Sequence, residues 1–275
     1  MTAEALVMTC AADDIVDLRD ARDGARFGGK AAALAWALGV GQRVPAGFVI
    51  AAGAAADASL AARIEARVAA LGEGPFAVRS SGIGEDGRQH SFAGQLETRL
   101  AVPAAEVMAA IEACWAAARA LHVFCYGAEL GGVAVIVQRM VAADAAGVAF
   151  SADPQTGERE VVLVEAVPSL ADQLVSGAES PETWRITGDD CRRIRARAAA
   201  VLAPADAQRV ADLAASLAAQ RGLPQDVEWA LADGALWLLQ TRPITALPAA
   251  PVAIVDEPPA GSWDRDDHHG VLSPL

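Results

Sequence analysis

The chain has 275 residues, of which 53% are hydrophobic but many of these alanine, with 5% aromatics and a formal net charge of -13. That length suggests about one or two domains around a sizeable core. An acidic surface repels nucleic acid and anionic membranes, so neither is expected as a partner, and a phosphate ligand would need locally placed cations.

The first segment, to about Arg26, is polar and poorly patterned. It lacks the basic start of a secretory signal, so a cytoplasmic location is expected. Gly28-Gly29-Lys30 opens an alanine-rich helix over 31–38 that Gly39 can cap. Val44-Pro45 leads into a strand over 47–50. The alanine-rich run 51–62 is broken by Asp57 and is too weakly apolar to span a bilayer. A helix follows over 59–71, ended by Gly72 and Gly74-Pro75. A short strand, 76–78, delivers Arg79 into a polar loop over 80–95. Apolar residues recur at helical spacing over 107–124, and the run 133–137 is β-branched enough for a buried strand. Strands are expected at 147–150 and 161–167, with a turn at 153–157 between them. A helix over 205–220 stops at Gly222 and Pro224. Segments 227–232 and 236–241 bracket Asp233-Gly234 as a hairpin, and 247–259 is a Pro/Ala-rich linker. Cys10, Cys114, Cys125 and Cys191 form no C-x-x-C pair and read as free thiols.

Three places can carry chemistry. Gly24, Gly29 and Lys30 have the phosphate-loop spacing, but Ala31 stands where the magnesium-binding Ser or Thr belongs. What survives is a lysine at a glycine-rich helix start, a good place for an anion, against the alternative of a capped helix with a solvated lysine. Arg79, with Ser80-Ser81, the loop Ser91-Phe92-Ala93-Gly94-Gln95 and then Thr98, combines a guanidinium fork with hydroxyls and glycine amides that suit phosphate. The third place is the hairpin. With a two-residue turn, Glu228 faces away from Gln240. With a three-residue turn, Glu228 lies opposite Gln240 and Asp226 opposite Arg242 on one face, and two oxygen ligands beside an arginine suit Mg²⁺ carrying phosphates. The plain alternative is a solvated strand face with a surface ion pair. Gln138, just before Met140-Val141, could meet an adenine edge or simply end a strand.

Taken in order, these motifs, together with Gln138-Arg139-Met140-Val141, the strand 147–150 with Asp153-Pro154, Asp226-Val227-Glu228-Trp229 and 239–245, resemble the ATP-binding domain of the phosphoenolpyruvate synthase and pyruvate phosphate dikinase family, to which rifampicin phosphotransferase belongs. The resemblance runs from about Gly28 to Thr245. It implies an α+β, two-lobed ATP-grasp fold: a first lobe over 1–130, a second over 131–246, and a linker with the start of a following domain over 247–275. It implies ATP and Mg²⁺ as cofactors. Lys30, Arg79 and Arg242 become phosphate ligands, Asp226 a cofactor-binding residue beside them, and Ser91, Gly94, Gln95 and Thr98 part of a phosphate lid. Glu228 and Gln240 become metal ligands, which selects the three-residue turn. Gln138, Met140 and Val141 become the adenine hinge. The activity implied is AMP-forming phosphotransfer through a histidine on a swivelling domain, in cis or in trans. His268 and His269 do not match that histidine's Thr-Ser-His setting, so the chain is expected to be one part of a larger or split enzyme. The alternative is a nucleotide-binding regulatory module. Val167-Pro168-Ser169-Leu170 stands where the family has a glycine-rich turn, and the stretch between Ile50 and Phe76 is shorter than usual.

Overall fold

Short alternating strands, each with one apolar face, leave two sheets to be covered. The computed structural model describes residues 13–54, 57–84, 97–124, 132–169, 180–248, 263–265 and 272–274. The first group of strands comprises β1 (Ile15–Asp17), β2 (Gly47–Ile50), β3 (Phe76–Gly82), β4 (Thr98–Val102) and β5 (Val133–Arg139). They form an antiparallel sheet in the order β1-β2-β5-β3-β4. The second group comprises β6 (Ala145–Phe150), β7 (Val162–Pro168), β8 (Glu182–Thr187), β9 (Asp190–Arg195), β10 (Gln225–Ala232) and β11 (Ala235–Pro243). They form a second antiparallel sheet, β11-β10-β6-β7-β8-β9. In the tail, β12 (Trp263–Arg265) pairs with β13 (Leu272–Pro274).

Four α-helices cover these sheets among the described residues: α1 (Gly24–Gly39), α2 (Ala58–Leu71), α3 (Val107–Phe124) and α4 (Pro204–Arg221). One face of the first sheet offers Phe48, Phe76, Val78 and Val137 to Ile64 of α2 and Ile111 of α3. Its other face offers Val49, Ala134 and Ile136 to Ala31, Leu34 and Ala37 of α1. The same apolar cluster continues into the second sheet through Ala149, Val164 and Trp229, and on to Val210 and Leu217 of α4. The small side chains of α1 explain its position: alanines let a helix sit close to both sheets. Full burial of Leu34 alone contributes roughly 1.5–3 kcal/mol. No described helix is long and apolar enough to cross a membrane.

The architecture is the α+β, two-lobed one expected, with differences in detail. β3 runs on to Gly82, so Arg79 sits inside a strand and not in a loop. β5 likewise runs through Gln138 to Arg139. A boundary after residue 130 would put β5 in the second lobe, yet it is the middle strand of the first sheet, and the chain crosses between sheets only at 140–144. Strands β4, β8 and β9 have no counterpart in the apolar pattern. β4 and β9 are sheet edges rich in exposed residues, and charge there blunts further pairing instead of marking a core face.

Candidate nucleotide and metal site

The site begins with a broken helix. Asp23 caps the first turn of α1 by accepting from Ala25 N at 2.9 Å. Gly28 then interrupts the helix at φ 78° and ψ 165°. The helix restarts with Lys30 in its first turn. Ser81 Oγ accepts from Ala31 N at 3.2 Å, and Lys30 Nζ donates to Ser80 O at 3.4 Å. Gly24 lies within the first helical turn, so the phosphate-loop spacing has no loop to match it. The glycine at 28 is required twice over: its φ is left-handed, and a Cβ there would come within 2.3 Å of Ser81 Oγ.

Strand alternation aims Arg79. Phe76 and Val78 face α2 and α3, so Arg79 points the other way, toward the second sheet. Its Nη1 donates to Leu239 O at 2.9 Å, and its Nη2 to Glu228 Oε2 at 2.9 Å and Gln240 Oε1 at 2.6 Å. Glu228 and Gln240 are directly opposite each other, and so are Asp226 and Arg242. The three-residue turn that would give this register is nevertheless absent. Ala232 pairs with Ala235, so the turn has two residues, with Asp233 and Gly234 both at positive φ. The register shifts instead at a bulge: Trp229 faces Leu238, Glu228 faces Gln240, and Leu239 is the extra residue. Leu238 therefore points into the core while Gln240 and Arg242 point with Glu228 into the site, and the bulged Leu239 carbonyl is the one that Arg79 takes.

One step along the hairpin, Arg242 Nε donates to Asp226 Oδ2 at 2.7 Å. Burial pushes the Asp226 carboxyl above its ordinary range; Arg242 opposes this and Glu228 adds to it. Arg79 Nε is buried with no hydrogen-bond partner among the described residues. Two carboxylates, an amide, a peptide carbonyl and two guanidiniums thus gather along the hairpin, with one buried N–H still to be satisfied, while the Lys30 ammonium stands on the neighbouring Ser80 carbonyl of β3. Hard oxygen donors beside fork-shaped cations can hold a divalent ion and phosphate oxygens.

The profile of the pyruvate phosphate dikinase AMP/ATP-binding domain matches residues 57–201 and 192–259. The chain belongs to this family. Curated relatives include the prodigiosin synthesizing transferase PigC of Serratia marcescens, 36% identical over 227 aligned residues, covering 71% of this chain and 25% of PigC. A rifampicin phosphotransferase of Streptomyces sviceus is 36% identical over 204 residues, covering 62% of this chain and 23% of that one. A probable phosphoenolpyruvate synthase of Methanothermobacter thermautotrophicus is 33% identical over 203 residues, covering 62% and 30%. The chain therefore spans about a quarter of the length of these relatives.

Within the AMP/ATP-binding domain so defined, the remaining candidates fall in different places. Thr98 lies directly across from Arg79 on β4, exposed. Ser91, Gly94 and Gln95 lie outside the described residues. Gln138 is buried, and its Nε2 donates to Pro45 O at 3.1 Å, so its amide nitrogen anchors the approach to β2. Met140 and Val141 stand on the crossing between the sheets, where Met140 N donates to Pro75 O at 2.9 Å. Asp144 ends that crossing and accepts from Asp233 N at 3.0 Å, tying the crossing to the tip of the hairpin.

One residue of interest had no motif to announce it. Glu165 pairs with Val148, which pairs with Glu228, so both carboxylates stand in one row across the second sheet and share a face. Burial pushes the Glu165 carboxyl up, with Arg195 opposing. Its sequence signal is a lone glutamate within the apolar run of β7, where a charge needs a reason.

Proposed function

We propose that this AMP/ATP-binding domain holds ATP with Mg²⁺ between its two sheets and serves transfer of the β,γ-pyrophosphoryl group of ATP, with AMP as the leaving group, to a histidine on a separate swivelling domain, in cis or in trans. The observation that carries this reading is the convergence of Arg79, Glu228, Gln240 and the bulged Leu239 carbonyl from opposite sheets on one point. An ordinary surface ion pair does not recruit a bulge and a strand from another sheet.

In this reading Lys30, Arg79 and Arg242 hold phosphate oxygens. Lys30 is delivered by the helix restart at Gly28, whose positive dipole end favours the negative charge of the phosphate. Arg79 offers its fork together with its unpartnered Nε–H. Glu228 and Gln240 supply oxygens to the metal, with Asp226 setting the orientation of Arg242. When bound, magnesium neutralises the phosphate charge and keeps its oxygens in register for transfer. The crossing at Met140 and Val141 takes the adenine edge through backbone groups, with Gln138 contributing Oε1. Thr98, across from Arg79 on β4, offers its hydroxyl to the phosphates, and Ser91, Gly94 and Gln95, outside the described residues, keep the phosphate-binding part that the resemblance implies. The ATP supply this requires places the reaction in the cytoplasm.

The test mixes the purified chain, Mg-ATP and a histidine domain taken from a relative, and follows AMP by chromatography. AMP should form with the histidine domain and not without it. Phosphorylation of an acceptor by the chain alone would contradict the assignment.

A further inference from the structure

Arg79 stands where a bare cation would have to go. Its guanidinium is bound by the Glu228 carboxylate, the Gln240 amide oxygen and the Leu239 carbonyl, all at 2.6 to 2.9 Å. These oxygens come from both strands of the hairpin and close around one delocalised charge. The pair is partly buried, with the Arg79 side chain 14% exposed and that of Glu228 28% exposed. A magnesium ion needs its oxygens at about 2.0–2.1 Å. It cannot take Glu228 Oε2 and Gln240 Oε1 while a guanidinium donates to both, because the two cations would be in contact and repel strongly at partly buried positions.

We infer that Arg79 is the specificity-determining residue for the cation: it excludes a free divalent ion from the Glu228–Gln240 pair and admits the metal only together with nucleotide phosphates. The inference rests on the reading of Glu228 and Gln240 as metal ligands. Phosphate offers the guanidinium a stronger, bidentate partner than one carboxylate oxygen and one amide oxygen. It also gives the buried Nε–H the acceptor it lacks. Drawn toward the phosphates, Arg79 releases both hairpin oxygens. Metal and nucleotide affinities are then coupled, each raising the other by the same factor. In a chain with a formal charge of -13, such a guard keeps the site from filling with free cation.

The experiment titrates the full chain with Mn²⁺ in the absence of nucleotide, reading free Mn²⁺ by electron paramagnetic resonance, for the wild type and Arg79→Met. Arg79→Met should bind one Mn²⁺ at least tenfold more tightly than the wild type. Adding Glu228→Ala to that variant should remove the gain. A folded Arg79→Met, judged by its thermal melt, that binds Mn²⁺ no better than the wild type overturns the inference. So does a gain that survives Glu228→Ala. If Arg79→Met does not fold, Arg79→Gln takes its place, neutral but able to keep a donor toward Leu239 O. Mg-ATP binding by the wild type and by Glu228→Ala is measured in parallel. Glu228-dependent Mg-ATP binding without the Mn²⁺ gain overturns the guard alone; absence of both overturns the metal site as well.

Discussion

Arg79, Glu228 and Gln240 meet only because each is aimed by something other than itself. Arg79 is turned away from the apolar face set by Phe76 and Val78, and Glu228 away from the one set by Val227 and Trp229. Lys30 depends on Gly28, where φ is 78° and an added Cβ would meet both Ser81 Oγ and Ser81 O inside 2.5 Å. Gly28→Ala should therefore destabilise the chain by about 2 kcal/mol or more, since a left-handed alanine and a backbone clash add. Denaturant unfolding checks this, and a change under about 0.5 kcal/mol, the range of an ordinary surface substitution, would mean that the helix break does not need glycine. These residues were legible as motifs because lysine after glycines and arginine after an apolar strand are unusual in so acidic a chain. The Leu239 carbonyl was not legible, since a backbone oxygen acquires its role only from geometry.

At the level of elements, the hairpin shows how a right pairing can arise by another route. The pairing of Glu228 with Gln240 is what the family resemblance implies, but Asp233-Gly234 favours a two-residue turn, and the conflict is resolved by the bulge at Leu239. Turn type is written in local sequence; a bulge in mid-strand has no such local signature. Strand β8 buries Trp184 and Ile186 in the apolar cluster, with the charged Arg185 between them and an exposed β9 beside it. The pair is also held by a polar clasp that leaves no apolar pattern in the sequence. Glu182 is fully buried and accepts from Trp184 Nε1 at 2.8 Å, Leu202 N at 3.1 Å and Val201 N at 3.2 Å. Burial alone would raise its carboxyl, but these bonds and Arg193 overcome that and hold it below its ordinary range. A depressed native value means stability that is present above the unfolded glutamate range and lost as pH falls through the native one. Glu182→Gln should lower the melting temperature at pH 7, by about 1–3 kcal/mol of stability for a charged acceptor lost inside the protein. The gap from the wild type should narrow as the solution is acidified below the glutamate range. A gap that stays constant with pH would mean that the carboxylate charge contributes nothing.

For the whole molecule, the two sheets share α1 and are linked by the crossing at 140–144, which Asp144 ties to the hairpin tip. The fold class and most elements follow from the order of motifs. The lobe boundary does not, because β5 enters the first sheet as its middle strand despite lying late in the sequence. The central claim is that ATP and its metal meet between the sheets at Glu228. Calorimetric titration with ATP, with and without Mg²⁺, on the wild type and Glu228→Ala tests it most directly. The account predicts binding that requires magnesium and weakens about tenfold or more in the variant, the worth of one charged ligand. A well-folded wild type that binds no ATP, or binding indifferent to both magnesium and Glu228, would contradict it.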